Sequence, residues 1–167
     1  MATLPPWRIV QDVPFYIFPD GSIGWGLAGF DVDADGSGGN PEQDPDFQPT
    51  TTLKNPDGTS LNQRIEKIFV MPEDIAWESP GVVMGCQGQV TDVLAGLTTP
   101  AIPGELGPVG KVGEGSPALA QFFGVNPNPR TGGTQEPRFF YRIWPNKPGF
   151  CGGKQYQLQP MTRNPLL

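Results

Sequence analysis

Twenty-three glycines and 21 prolines stand in a chain of 167 residues, and that limits what the chain can become more than any other feature. Gly loses the most backbone freedom on folding, and Pro removes a donor while fixing φ. Long helices and long uninterrupted strands are therefore disfavoured. What remains is a β-rich architecture of short elements joined by many turns. Gly and Pro without a period, at this density, are also a mark of low-complexity chain. An ordered chain of this composition is accordingly expected to be held by contacts outside itself.

Disorder is opposed by two numbers. Charged residues make up only 17% with a net charge of −6, and aromatics make up 10%, a content that supports a packed core. The length suits one domain spanning residues 1–167. The expected fold class is all-β, a sandwich or barrel, with one or two short helices and long Gly/Pro-rich loops or arms. Turn signals between strand-like runs lead to this expectation.

The turns can be assigned individually. Pro19-Asp20-Gly21-Ser22 separates Phe15–Phe18 from Ile23–Trp25 and predicts a hairpin with Gly21 at positive φ. Asn55-Pro56-Asp57-Gly58 repeats the device between Thr50–Leu53 and Thr59–Leu61. Further strands are predicted over 64–71, 82–90, 139–144 and 155–159 from alternation. In the third of these, Phe139, Tyr141 and Ile143 share one face, and Arg138, Phe140 and Arg142 the other. Ser116-Pro117 opens a two-turn helix that Gly124 ends, and Pro72–Glu78 predicts a second short one. Segments 36–48, 98–115 and 125–137 carry no pattern and are expected to be extended, as arms laid over neighbouring molecules.

Charge is segregated. No Lys or Arg falls between Arg8 and Lys54, where eight acids lie, whereas from Arg130 onward six bases face Glu136 alone. Either the two regions adjoin within one fold, or the acidic end of one copy meets the basic end of another. A pI near 4.5 argues against nucleic acid as a partner. The absence of a long apolar run argues against a membrane span, and no signal peptide is visible. Cys86 and Cys151 lack metal-type spacing and are expected as free, partly buried thiols.

The chain has no histidine, which removes the usual nucleophile–base systems and zinc sets. Carboxylate-pair hydrolysis survives this exclusion, but among 17 acids no pair stands out, so the expectation is a protein without enzymatic activity. The sharpest local pattern is Asp31-Val32-Asp33-Ala34-Asp35-Gly36-Ser37-Gly38-Gly39-Asn40-Pro41-Glu42. It resembles the calcium loop of EF-hand proteins, with acids at loop positions one, three, five and twelve and Gly at six. That resemblance implies calcium ligands at Asp31, Asp33, Asp35, Ser37 and Glu42. Gly and Pro in the flanks restrict the likeness to the loop itself, and a solvated acidic loop is the alternative. Calcium is the one cofactor candidate. Gly104 to Gly113 carries Gly at every third position and resembles a fragment of collagen sequence; the alternative is a solvated connector.

Arg138, Phe140 and Arg142 combine the residue types favoured at interfaces and are the candidate contact surface. Together these features lead to the expectation of a structural subunit of a large assembly, a tailed-phage virion protein of the capsid-decoration, tail or baseplate kind. It would be made in a host cytoplasm, self-associate and contact other structural subunits. The alternative is a calcium-dependent carbohydrate-binding β-sandwich module. A third reading, an acid-pair hydrolase, requires two carboxylates converging in a cleft.

Overall fold

A computed structural model describes residues 3–78 and 81–161. Strands β1 (Arg8–Val10) and β2 (Val13–Ile17) lead through the Pro19–Ser22 turn into β3 (Ile23–Val32). The turn forms as expected: Gly21 has φ 81°, and Phe18 N donates to Ser22 O at 2.9 Å. After a long irregular segment come β4 (Ile68–Met71) and α1 (Glu73–Ala76). They are followed by β5 (Cys86–Asp92), β6 (Leu97–Leu106), β7 (Glu114–Gly115) and α2 (Pro117–Phe122). The 15-residue β8 (Thr134–Pro148) and the short pair β9 (Phe150–Cys151) and β10 (Lys154–Gln155) complete the fold.

The main sheet runs β1-β2-β3-β7-β4-β6-β5-β8, and β8 also pairs with β3. That second pairing closes β3, β7, β4, β6, β5 and β8 into a barrel, the all-β class the turn density predicts. Its ladder is mixed: β3–β7 and β4–β6 are parallel, while β8 is antiparallel to both β5 and β3.

The interior is aromatic. Trp25 stacks between Phe15 at 5.5 Å and Tyr141 at 5.6 Å, and Phe69 tilts against both Trp25 and Tyr141 at 5.9 Å. All four side chains are fully buried. Phe139, Tyr141 and Ile143 line the inside of β8, as alternation predicts. The Tyr141 hydroxyl donates to Gly29 O at 3.1 Å. On the outer face Phe140 lies over Gly24, where a Cβ would come within 2.7 Å of its ring.

Several expectations are corrected. The described chain builds its own continuous core. Segment 98–115 is not an arm, because β6 and β7 occupy much of it and form barrel wall. Its glycines are there for close approach: a Cβ on Gly104 would meet Ile68 Cγ2 at 2.7 Å. Pro103 is beside the register shift between Phe69 and Val70, an irregularity that accommodates proline. Segment 125–137 is irregular only to residue 133, since β8 takes up 134–137; it is tied inward by Val125 N to Ala120 O at 2.9 Å, and segment 36–48 by Ser37 N to Leu61 O at 3.1 Å.

The strand expected over 64–71 begins only at Ile68, leaving Ile65 exposed in a turn. That expected over 82–90 runs 86–92, and the one over 155–159 shrinks to β10. Around Pro56 the turn forms, with Gly58 at φ 84°, but its flanks make only an isolated Lys54–Ser60 bridge. Ser116 caps α2 by accepting from Leu119 N. Cys86 and Cys151 are free and buried, and burial pushes the Cys86 thiol up to about 12.

Because Trp25 joins two stacking partners, Trp25→Ala is expected to cost about 3–5 kcal/mol. Chemical denaturation followed by far-UV circular dichroism measures this as a fall in the midpoint. A cost below about 1 kcal/mol would contradict the assigned core.

Candidate acidic site

The C-terminal end of β3 delivers a run of acids to the barrel surface. Parallel pairing with β7 sets Asp31 opposite Glu114, and Asp33 N donates to Gly115 O at 2.9 Å. A polar cleft of about 380 Å³ opens here, lined by Asp31, Asp33, Asp44, Asp46 and Glu114 together with Lys111, Arg130 and Gln135. Lys111 Nζ is 2.6 Å from Glu114 Oε1 and 3.8 Å from Asp31 Oδ2. Gln135 donates to Asp31 Oδ1 at 2.9 Å.

A second glutamate belongs to the same group. Glu105 on β6 pairs with Val70 of β4. On the other side of β4, Gly115 pairs antiparallel with Phe69, and one further step of that register brings Glu114 level with Val70. The two glutamates thus flank one residue, with backbones two strand spacings apart, roughly 10 Å. Level residues point to one face. Gly107, two residues beyond Glu105, lies on the same side: a Cβ there would be 2.8 Å from Val70 Cγ1 and 3.5 Å from Glu114 Oε2.

The carboxyls are held in a low-dielectric setting. Glu105 is 6% exposed and accepts from Thr52 N at 3.1 Å and Thr52 Oγ1 at 2.9 Å. Burial, reinforced by the charge of Asp33, pushes Glu105 up to about 8 despite those bonds. Burial also raises Glu114, opposed by Lys111. Asp33 is pushed up to about 7 and Asp35 to about 6, in both cases chiefly by burial.

The sequence-predicted calcium set is divided. Asp33 and Asp35 come together, and Asp44 joins them with ligand oxygens within 4.8 Å of one another. Asp31 is instead turned to Lys111 and Gln135. Ser37 Oγ donates to Leu61 O at 3.2 Å, and exposed Glu42 offers its backbone oxygen to Arg130. Glu105 and Glu114, in the segment expected to be a connector, were not singled out by any local pattern; nor were Asp44 and Gln63.

The expected contact residues do share the outer face of β8, but each has partners within the chain. Phe140 packs against Tyr16 and Phe18. Arg142 donates to Ser22 Oγ at 2.8 Å and Asp20 Oδ2 at 3.2 Å and covers the Phe18 ring at 4.2 Å. Arg138 binds both oxygens of Asp92 and pairs with Glu136. The acidic and basic regions therefore adjoin in one fold, at Asp20–Arg142 and across the cleft at Arg130. Arg163 of the basic stretch lies outside the described residues. Among the described residues no helix is long and apolar enough to cross a membrane.

The glutamate environment sets a pH dependence. The folded state holds the Glu105 proton to about 8, against 4.5 for an ordinary glutamate, so its contribution to stability is complete below pH 4.5. It is lost as pH rises through 8. Glu105→Gln is expected to remove that loss and to exceed the parent in stability by more than about 1 kcal/mol at pH 8.5. Thermal melts between pH 5 and 9 test this, and parallel profiles for the two proteins would refute it.

Comparison with models of known protein families and with curated proteins returned no match.

Proposed function

We propose that the chain is an acid–base hydrolase that cleaves a glycosidic bond in the acidic cleft. The observation that carries this reading is the placement of Glu105 and Glu114 on either side of Val70, both buried, with Glu114 lining the cleft and Glu105 beneath it within reach of the charge of Asp33. Hydrolysis by a carboxyl pair needs one group that keeps its proton at working pH and a second that acts as base or nucleophile. Glu105, pushed up to about 8, is the proton donor to the leaving oxygen. Glu114, bound by Lys111 at 2.6 Å, is the partner carboxylate. Strands hold both residues, which gives the fixed geometry such a pair requires.

The charge of the cleft bears on the substrate. Five acids line it against Lys111 and Arg130, a field that favours neutral or cationic saccharides over anionic ones. This reading departs from the expectation of a protein without enzymatic activity, and it uses the carboxylate-pair chemistry that survives the absence of histidine.

A structural role in a virion or other large assembly is the second reading. One observation favours it: among the described residues β1 pairs only with β2, leaving an open strand edge beside Ile9, which is 62% exposed. A neighbouring subunit's strand would extend the sheet there. Concentration-dependent self-association in sedimentation velocity supports it, and a monomer at all concentrations opposes it.

The hydrolase reading is tested by release of reducing ends from neutral, cationic and anionic polysaccharides between pH 4 and 8. Glu105→Gln and Glu114→Gln are each expected to lower kcat/KM by about 10²–10⁴-fold while retaining the folded circular dichroism spectrum. Absence of release from every polysaccharide, or full activity in both variants, would overturn it.

A further inference from the structure

We propose that Asp33, Asp35, Asp44 and Gln63 form a binding site for a single calcium ion. The three aspartates offer oxygens within 4.8 Å of one another. Oxygens no farther apart than this can share one ion at a Ca–O distance of about 2.4 Å, and calcium accepts an irregular oxygen set where magnesium demands a near-ideal octahedron.

The carboxylates are fixed in advance. Gln48 N donates to Asp35 Oδ1 at 2.6 Å, Asp46 N to Asp44 Oδ1 at 2.9 Å, and Gln63 Nε2 to Asp33 Oδ2 at 3.1 Å. Each aspartate thus has one oxygen fixed by a protein donor, and Asp33 and Asp35 also hydrogen-bond to each other, a proton-sharing contact that an ion would replace. The nearby ammonium of Lys111 makes its direct contacts with Glu114 and Asp31 and acts on Asp33 only at longer range.

Gln63 supplies the independent observation. It is 1% exposed, and its Oε1 is buried with no hydrogen-bond partner. Buried carbonyl oxygens almost always find a donor or an ion. Oε1 belongs to the same carboxamide as the Nε2 that holds Asp33, so the unpartnered acceptor is carried by a group already docked on the cluster. Three carboxylates and one amide carbonyl form a hard-oxygen set of the kind calcium takes, with water completing six to eight ligands. This site shares no residue with the glutamate pair, and its test does not read turnover.

Calcium chloride titrated into the full chain after chelator treatment and dialysis, followed by calorimetry and thermal melting, decides the matter. The expected result is saturable one-to-one binding, a raised melting temperature and at least tenfold weaker binding of magnesium. Asp44→Asn should weaken calcium binding at least tenfold. Gln63→Glu should lower the melting temperature without calcium yet tighten calcium binding, because it places a fourth negative charge on the ion. Glu42→Gln, on an exposed side chain away from the cluster, should leave affinity unchanged. If Asp44→Asn fails to fold, the comparison of Gln63→Glu with the parent still decides. The proposal is overturned by no heat and no melting shift at about 5 mM calcium, by magnesium binding as tightly as calcium, or by loss of binding in Glu42→Gln.

Discussion

The dependence of this barrel on one strand follows from its pairing. β8 is hydrogen-bonded to β3 along one edge and to β5 along the other, so it converts an open sheet into a closed wall. The same strand carries Phe139, Tyr141 and Ile143 inward, where Tyr141 completes the stack on Trp25. Closure and core formation are thus one event. Few residues can be removed from either without disturbing the other, because an open sheet would leave the aromatic interior in water and the stack without its third ring.

A cost is concentrated at the far end of β3. Carboxyls are ordinarily kept in water, and burying several together raises the free energy of every ionised form. The fold tolerates this because protons remain on the most buried members and because Lys111, Thr52 and Gln63 each supply donors. Strained or costly polar groups persist where the rest of the structure over-determines them. Here the over-determination comes from parallel pairing, which fixes β3 against β7 and β4 against β6 independently of the acids.

How far the sequence reveals this depends on the range of the interactions. The hairpin through Gly21, the cap at Ser116 and the two faces of β8 are set by neighbours within a few residues, and all are legible. β6 and β7 are not, because Pro100, Pro103, Gly104 and Gly107 read locally as breakers, yet Gly104 and Gly107 are required by close packing against Ile68 and Val70. The site divides in the same way. Asp33 and Asp35 are visible as alternating acids, but Asp44, Gln63, Glu105 and Glu114 reach them through turns and parallel pairings that leave no local signal. Ser37 and Glu42 fit the spacing of a calcium loop and yet point elsewhere, since Gly36 N is bonded to Gln48 O and Ser37 to Leu61, which sets a different course for the loop.

The absence of histidine has a consequence for proton uptake. In most proteins imidazoles supply the buffer capacity of the neutral range and obscure everything else there. Among the described residues, Asp33, Asp35 and Glu105 are raised into that range. A potentiometric titration, or the carbonyl stretch of protonated acids in the infrared, would therefore register them against an almost silent background.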